Sequence, residues 1–297
     1  MFTQFFANYL LNKKIINKEQ LMEVLNDSDT KRIKLGTLAI YEGLLTASDV
    51  DRIHILQTHI DKKFGQIAVE EGYLTIEQVD YLCEKQQPDY LLFGQKLIDK
   101  KYITTQQFED LLNKYQSEFE IDNMEYEEEL KDKVIVLVKN LYNVDTIENS
   151  DRNIEYMVLL FNNLIRFIGN DFTPLSADVM PEYATKCCTT QAIIGKNKIL
   201  TGIDMDIPTA ISFASRYMGK ELYEYNEYVA ASIEDFLNLH NGLFSVNMSN
   251  EYDLELDLEP LEQQNNSIIS TGSNIVYFPI IFSFGVINIV LNYNSFE

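Results

Sequence analysis

A short polar stretch in the second half of the chain carries the residues best suited to chemistry. It reads SIEDFLNLHNG and runs from Ser232 to Gly242. Successive residues of a helix are separated by about 100°, so Asp235 and Asn238 fall close together on one helix face. Glu234, one turn before Asn238, is a second carboxylate within reach. A carboxylate beside an amide can bind a polar partner, because the amide both donates and accepts hydrogen bonds.

The neighbours of Asp235 and Asn238 decide how closely a partner can approach. Ala231 and Gly242 lie within about 60° of them on the same helical geometry, and neither has a long side chain. We therefore expect an uncluttered polar face. The alternative is an ordinary solvated face on a helix that ends at Asn241 and Gly242.

The other side of this helix reads as a core-facing stripe. With Ile233 placed at zero, the apolar residues fall within about 80° of it. His240 lies among them, so we expect it to pack in the core rather than to act as a base. The stripe consists of Val229, Phe236, Leu237, His240, Leu243 and Phe244.

Composition excludes several classes of function. The chain has 24 basic and 46 acidic residues and a net charge of −22, which repels a phosphate backbone and argues against nucleic acid as a partner. The three cysteines, Cys83, Cys187 and Cys188, are too few for a disulfide framework, so we expect a cytoplasmic protein. The sequence has no Ser/His/Asp set, Gly-rich phosphate loop or metal-spaced His/Cys cluster, and no metal or cofactor is expected in this chain.

The second half alternates helix and strand patterns. Their order is one helix, a hairpin, two helices and three strands, which predicts an α+β domain with a mainly antiparallel sheet. A Pro begins and a Gly ends the first helix of the pair. The predicted elements are 153–168, 183–194, 199–207, 208–219, 227–244 and the strictly alternating 253–259.

The end of the chain is unusually apolar. No residue from 263 to 296 is charged, and 275–291 is apolar enough to suggest a membrane span. Pro279, Gly285 and Asn288, together with a β-branched composition, favour two buried strands instead. We therefore predict no membrane span.

The first half repeats itself with a constant period of 29 residues, which predicts an all-α repeat array. The units begin at Phe6, Leu35, Phe64 and Phe93, and read FANYLLNKKIINKEQL, LGTLAIYEGLLTASDV, FGQIAVEEGYLTIEQV and FGQKLIDKKYITTQQF. In each unit a short first helix is expected to end near Lys13, Gly43, Gly72 or Lys101. A second helix is then expected to begin after an N-cap at Asn17, Thr46, Thr75 or Thr104. The apolar positions predict that each unit packs on the next.

These patterns divide the chain into three parts. Residues 1–121 form the repeats, 122–150 a linker helix, and 151–297 the α+β domain.

The motif Asp235-Phe-Leu-Asn238-Leu-His-Asn-Gly242, placed after a TAISFASRYMGKEL helix, resembles that of CheX/CheC-type chemotaxis phosphatases. The family signature is Glu-x-x-Asn on a helix, with a Pro about two dozen residues later, where Pro260 stands. The resemblance implies that the helix docks on a phosphorylated, CheY-like response-regulator receiver. Asn238 would orient the attacking water and Asp235 would anchor the receiver, whose own Mg²⁺ is the only metal implied.

The sequence departs from that family pattern in three ways. Asp235 stands where the family has Glu, while Glu234 offers the longer acid at the neighbouring position. The polar residue expected one turn earlier is Ala231. A second copy of the motif is missing from 153–168, because Asn162 and Asn163 have no acid three residues before them. A single site is therefore expected.

The repeats resemble the N-terminal domain of type II secretion and pilus ATPases. The resemblance rests on KLGTLAIYEGLLTASDVDRIHILQ and KFGQIAVEEGYLTIEQVDYLCEKQ. Some members of that family bind cyclic di-GMP through two motifs that begin with Arg, where this chain has Lys. The positions carried over are Lys34, Leu35, Gly36, Gly43, Gln57, Lys63, Phe64, Gly65, Gly72 and Gln86.

Taken together, these resemblances predict a bacterial signalling protein that hydrolyses the aspartyl phosphate of a receiver and is regulated by its N-terminal repeats. One alternative is a non-catalytic adaptor in which a degenerate phosphatase-like fold forms a homodimer or holds a partner. The other is a cyclic di-GMP-sensing regulator.

Overall fold

The chain divides into two units. The computed structural model describes residues 2–27, 32–84, 89–119, 127–142, 151–196 and 198–292. Contacts group Phe2–Glu125 into one unit and Tyr126–Glu297 into the other, called here the N-terminal unit and the C-terminal unit. The domain boundaries predicted at 121 and 150 remain predictions. The helix at 127–142, expected to be a linker, is grouped with the C-terminal unit.

In the N-terminal unit, each repeat contributes two helices, as the 29-residue period predicts. They are α1 (Phe2–Asn12), α2 (Lys18–Leu25), α3 (Leu35–Tyr41), α4 (Ala47–Gln57), α5 (Phe64–Glu70), α6 (Ile76–Glu84), α7 (Asp89–Asp99) and α8 (Thr105–Phe119).

The second helix of every repeat begins with the same pair of reciprocal hydrogen bonds. The backbone N–H of Thr75 donates to Oε1 of Gln78 at 2.8 Å, and the N–H of Gln78 donates to Oγ1 of Thr75 at 3.2 Å. Such a capping box satisfies two N–H groups that the helix itself leaves unpaired. The predicted N-caps are confirmed, because the same arrangement recurs at Asn17 with Gln20, Thr46 with Asp49, and Thr104 with Gln107.

The first helix of every repeat is followed by a residue with positive φ. The four residues are 29 positions apart: Lys14 (56°), Gly43 (65°), Gly72 (75°) and Lys101 (61°). In the first repeat the left-handed residue is thus Lys14, one position after the predicted Lys13. Two repeats use glycine for this conformation, and two accept the strain of a side chain.

The repeats do not pack simply in chain order. Helices α1 and α2 of the first repeat contact α7 of the fourth, and α3 of the second contacts helices of both the third and the fourth. Phe6 on α1 contributes to this packing, because its ring centroid lies 5.9 Å from that of Tyr90 on α7 and 5.0 Å from that of Tyr115 on α8. The expectation that each unit packs on the next did not include this packing of the first repeat on the fourth. The aromatic partners of Phe6 lie in the fourth repeat.

The C-terminal unit is built on an antiparallel sheet, as predicted. The main path of the sheet runs β1-β9-β10-β5-β4-β6, with β2 added beside β9 and β7 beside β4, while β3 and β8 pair separately. The strands are β1 (Phe172–Pro174), β2 (Asp178–Met180), β3 (Tyr183–Ala184), β4 (Cys187–Ile194), β5 (Lys198–Met205), β6 (Asp257–Leu258), β7 (Glu262–Gln263), β8 (Ile268–Ile269), β9 (Ile275–Phe282) and β10 (Gly285–Asn292).

Four helices accompany the sheet: α9 (Glu127–Tyr142), α10 (Asp151–Phe167), α11 (Ile207–Met218) and α12 (Glu227–Tyr252). Helix α12 packs on β4, β5 and β6, and it also contacts α10 and α11. Helix α11 begins with Pro208 near its start and ends at Gly219 with φ 63°, which confirms the predicted helix between these two residues.

The predicted strand at 253–259 is mostly absent. Asp253 has a left-handed conformation with φ 55° and ends α12, so that only Asp257 and Leu258 pair as β6. The apolar end of the chain, in contrast, folds as predicted. Strands β9 and β10 form a hairpin within the sheet, with Pro279 opposite Asn288. In the described residues, no helix combines the length and the hydropathy that a membrane crossing requires.

The left-handed residues of the repeats predict a stability difference. At Gly72 the position of a Cβ has no neighbouring atom within 4 Å, so Gly72→Ala adds conformational strain without a clash. We expect this change to lower the free energy of unfolding by about 1 kcal/mol, and Lys101→Gly to raise it by up to about 1 kcal/mol. Urea unfolding measures both. Glu71→Ala, at the preceding exposed residue with φ −86°, is the control, and a Gly72→Ala protein as stable as this control would contradict the account.

Candidate functional site

Helix α12 carries the candidate site and is capped at its N-terminal end by Asn226. The side-chain oxygen of Asn226 accepts hydrogen bonds from the backbone N–H groups of Tyr228 and Val229 at 3.1 and 3.3 Å. The helix continues for 26 residues to Tyr252. It therefore does not end at the Asn-Gly pair, and that part of the solvated-face interpretation is wrong.

The buried side of α12 matches the predicted stripe except at one edge. Leu243, which lies about 80° from Ile233 in one direction, is 39% exposed. Asn241 lies about 80° from Ile233 in the other direction and is fully buried. The buried side is thus rotated toward Asn241, because this residue packs against the sheet and bonds to Gln191 of β4 and Thr201 of β5.

The opposite side of α12 is exposed. Ala231, Asp235 and Asn238 are exposed, and no atom lies within 4 Å of the position that a Cβ of Gly242 would occupy. The structure therefore brings these four residues together on one open face, as the helical geometry predicts. Tyr228 and Val246, each more than half exposed, extend this face at its two ends. We call the six residues the α12 exposed face.

The two carboxylates lean toward opposite flanks of the helix. Asp235 accepts a hydrogen bond of 2.6 Å from the hydroxyl of Tyr217 on α11. Burial, together with the bond to Asp235, raises the pKa of Tyr217 to about 12, so that this hydroxyl stays protonated as a donor. Glu234 accepts a hydrogen bond of 2.7 Å from the amide of Gln263 on β7. Each acid is therefore held by a neutral donor.

The side chain of Asn238 is hydrogen-bonded to a residue of the sheet on which α12 packs. Its Oδ1 accepts a hydrogen bond of 2.9 Å from Nε2 of Gln191, a buried residue of β4. The same Nε2 donates to the backbone oxygen of Glu259 at 3.0 Å. The exposed amide of Asn238 is thus connected to a buried amide.

Sequence reasoning missed Gln191, Asn241, Tyr217 and Gln263. One signal was available for Gln191, since it is a long polar residue in the otherwise small or apolar run CCTTQAII of a predicted strand. Asn241 gave a misleading signal, because Asn before Gly is typical of a helix end. Nothing in the sequence pattern indicates the pairings of Tyr217 or Gln263.

His240 lies in the core, as expected. Its ring is fully buried, its Nδ1 lies 3.0 Å from the amide nitrogen of Asn163 on α10, and it packs edge-on against Tyr156. Burial lowers the pKa of His240 to about 3, so the ring is neutral at physiological pH. Asn163 is therefore a buried partner of His240, while Asn162 is exposed on the same helix.

The residues of the first motif that resembles a cyclic di-GMP-binding motif, 34–57, make contacts within the N-terminal unit. Nζ of Lys34 lies 2.6 Å from Oδ1 of Asp99. A Cβ placed on the buried Gly36 would lie 2.8 Å from the side chain of Val50 and 3.2 Å from that of Phe64. Phe64 of the third repeat therefore covers Gly36 of the second.

In the second of these motifs, Gly65 is contacted in the same way by a residue of the second repeat, and a groove lies beside it. A Cβ on Gly65 would lie 3.0 Å from Leu35, and a groove of about 570 Å³ extends beside it past Lys63, Val79 and Cys83. Of the other predicted ligand residues, Gly43 and Gly72 form the left-handed turns, and the amide of Gln57 donates to the backbone oxygen of Lys62. Gln86 lies outside the described residues. Binding of cyclic di-GMP at these positions remains a prediction.

Among the residues that the structure describes, no three His, Cys, Asp or Glu side chains are grouped to hold a metal ion. A metal on a partner receiver stays a prediction from the family resemblance.

Comparison with solved structures finds chemotaxis proteins. The C-terminal half is similar to a CheC-like superfamily protein from Shewanella sp. PV-4, with 14% identity, 50% of this chain and 99% of that chain covered, and a TM-score of 0.43. It is also similar to a CheX from Desulfovibrio desulfuricans, with 13% identity, 49% of this chain and 100% of that chain covered, and a TM-score of 0.42. A third similar structure is a CheX–CheY–BeF₃–Mg²⁺ complex from Borrelia burgdorferi, with 16% identity, 47% of this chain and 96% of that chain covered, and a TM-score of 0.39.

No protein-family model and no curated protein matches the chain. Likeness at these identities and TM-scores assigns neither a family nor a function. No comparison tests the resemblance of the repeats to secretion ATPases, and it remains a prediction.

The buried histidine predicts how stability depends on pH. The pKa of His240 is near 3 in the folded protein and near 6.5 when unfolded, so the unfolded chain binds the extra proton between these values. Stability from this group is therefore full above pH 6.5 and falls by about 1.4 kcal/mol per pH unit below it. Urea unfolding at pH 7, 6 and 5 should show a shallower dependence in His240→Gln than in the wild type.

His59→Gln, at an exposed histidine, is the control and should keep the wild-type slope. Equal slopes in wild type and His240→Gln would show that burial of this ring does not govern the acid response.

Proposed function

We propose that the α12 exposed face docks on a phosphorylated response-regulator receiver and that Asn238 promotes hydrolysis of the receiver's aspartyl phosphate. One observation carries this proposal. Asp235 and Asn238 lie side by side on an open helix face, with Ala231 and Gly242 leaving room for close approach. The residue pattern that resembles the CheX/CheC signature is thus on the surface, where a protein partner can reach it.

The reaction needs little covalent chemistry from this chain. The oxygen of a water attacks phosphorus in line, the bond between phosphorus and the aspartyl oxygen breaks, and the electron pair leaves with the receiver's carboxylate. The water gives up its proton to solvent or to the released phosphate. Such catalysis rests on positioning and charge stabilisation. An amide is suited to this role because it can contact a phosphoryl oxygen through N–H and a water through C=O.

The two carboxylates receive different roles. Asp235 is the anchor for the receiver, because it belongs to the exposed face and its Tyr217 partner holds it from the α11 side. Glu234 is only partly exposed and is directed to Gln263, so it supports the β7 side of the helix. Mg²⁺, in this proposal, is bound by the receiver and neutralises its phosphoryl group.

The competing function is a non-catalytic adaptor that uses the same face only to hold a partner. Binding without turnover would distinguish it, since an adaptor has no turnover to lose. The N-terminal repeats are proposed as a regulatory or docking module in either case.

Removing the amide should separate catalysis from binding. We expect Asn238→Ala to slow the accelerated loss of aspartyl phosphate by about 100-fold, because the water and phosphoryl group lose an oriented partner. Binding of a BeF₃⁻-loaded receiver should weaken by no more than about 10-fold, a much smaller loss than that of turnover, because the rest of the α12 exposed face still contacts the receiver. Phosphate lifetimes are measured on a panel of receivers from the same organism.

Asn247→Ala is the matched control, because Asn247 is exposed on α12 but points about 180° away from Asn238. Unchanged phosphate lifetimes with wild-type protein across the panel, together with no binding, would contradict the proposal. Turnover that survives Asn238→Ala would contradict the role of the amide.

A bulky residue at Gly242 should block docking without harming the fold. The open space around its Cβ position means that Gly242→Gln adds a side chain only on the outside of the helix. We expect receiver affinity to fall at least about 10-fold, because the partner can no longer approach the backbone, while helix propensity raises stability by a few tenths of a kcal/mol. Titration calorimetry with Gly242→Ala as the smaller control measures this. Equal affinities would place the docking surface elsewhere.

A further inference from the structure

Gln191 is buried at the point where β4 meets α12. It is 3% exposed, and its side-chain amide makes three hydrogen bonds. Nε2 donates to Oδ1 of Asn238 and to the backbone oxygen of Glu259, and Oε1 accepts from Nδ2 of Asn241 at 3.0 Å. Both amide hydrogens and the amide oxygen therefore have partners.

The chemistry of these partners decides which way each amide points. A backbone carbonyl can only accept, so the atom of Gln191 that faces Glu259 must be the nitrogen. That nitrogen also faces Asn238 at 2.9 Å, which requires the oxygen of Asn238 to point inward. The rotated amide would place two donors against each other.

The hydrogen bonds of Asn241, at the buried end of the network, require the same orientation of the Gln191 amide. Nδ2 of the fully buried Asn241 donates to Oε1 of Gln191 and, at 2.9 Å, to Oγ1 of Thr201. The hydroxyl of Thr201 donates to the backbone oxygen of Gln191 at 2.8 Å, which leaves its oxygen free to accept from Asn241. Oδ1 of Asn241 accepts from the hydroxyl of Tyr156 at 2.9 Å.

Burial raises the pKa of Tyr156, so its hydroxyl remains a donor. The donor and acceptor assignments thus agree from Tyr156 on α10, through Asn241 and Gln191, to the exposed Asn238. A buried network in which each amide has partners for both its N–H groups and its oxygen is rigid.

We infer that Gln191 is a positioning residue that orients the amide of Asn238 with its NH₂ group directed outward from the α12 exposed face. This inference rests on the proposed function and deepens it. The two outward N–H groups donate to phosphoryl oxygens of the docked receiver. The second lone pair of Oδ1 accepts a hydrogen bond from the attacking water, while the first accepts the hydrogen bond from Gln191.

Such an arrangement favours the reaction because the amide is oriented before the receiver arrives. A mobile asparagine would sample the rotated amide, which presents its oxygen to an acceptor-only phosphoryl group, so only a fraction of the docked complexes would hold the water in the productive orientation. We therefore expect loss of the Gln191 hydrogen bond to reduce turnover about 10-fold, with little effect on receiver affinity.

The test combines amide dynamics with kinetics. In ¹⁵N relaxation of the wild type, the side-chain amide of Asn238 should be ordered, with an order parameter of about 0.8, whereas that of the exposed Asn247 should be below about 0.6. In Gln191→Met, which keeps the length of the side chain and removes both its donors and its acceptor, the Asn238 value should fall to that of Asn247. The maximal dephosphorylation rate should fall about 10-fold while the Kd for the BeF₃⁻-loaded receiver changes less than about 3-fold.

A double-variant cycle separates positioning from a general structural effect. In an Asn238→Ala background, Gln191→Met should cause no further loss of turnover. Thr190→Val is the control, because Thr190 is buried on the same strand but faces the opposite side of the sheet. It should leave both the Asn238 amide and turnover unchanged.

Two results would overturn the inference. One is a wild-type Asn238 amide as mobile as that of Asn247, which needs no variant to be folded. The other is a loss of turnover from Gln191→Met that persists in the Asn238→Ala background. If the wild type leaves receiver phosphate lifetimes unchanged, the proposed reaction falls, and an ordered Asn238 amide in that protein still supports positioning of this group for binding.

Discussion

The packing of α12 on β4 and β5 is the constraint on which the candidate site depends. Helix α12 buries an apolar side that includes Phe236 and Phe244, and it also buries one amide, that of Asn241. A buried amide without partners would be costly, so the sheet must offer a donor and acceptor where Asn241 meets it. Gln191 and Thr201 do so. Because Gln191 also donates a hydrogen bond to Asn238, the packing that satisfies the buried Asn241 also orients an exposed amide.

The same helix therefore has two rather different polar groups. Asn241 is satisfied inside the protein and determines the rotation of the helix, whereas Asn238 is bound on one side only and is presented to solvent. The carboxylates complete the pattern, since Tyr217 and Gln263 hold Asp235 and Glu234 on opposite flanks. An exposed face with oriented polar groups and no bulky residue at Ala231 or Gly242 suits a partner that brings its own phosphate and metal.

Sequence patterns predicted the parts of the structure that depend on neighbours in the chain. The N-caps at Thr46 and Thr75 need partners only three residues away, and the exposure of Asp235 and Asn238 follows from helical geometry. The hairpin of β9 and β10 follows from composition and turn residues.

Features that depend on distant partners were not predictable. Gln191 and Asn238 are 47 residues apart in sequence, and no local pattern indicates which helix will cover which strand. The continuation of α12 beyond Gly242 has the same cause, because the sheet stabilises Asn241 in a helical conformation that its sequence neighbourhood disfavours. The pairing of the first repeat with the fourth depends likewise on contacts of Phe6 with Tyr90 and Tyr115, which are 84 and 109 positions away in the sequence.

The proposed function depends above all on docking of a phosphorylated receiver on the α12 exposed face. The most direct measurement is the change in backbone amide chemical shifts of the ¹⁵N-labelled chain when a receiver loaded with BeF₃⁻ and Mg²⁺ is added. We expect the shift changes to be concentrated at Ala231, Asp235, Asn238 and Gly242, and to be much weaker with the unloaded receiver. Shifts that avoid α12, or that are the same for loaded and unloaded receiver, would contradict docking on this face.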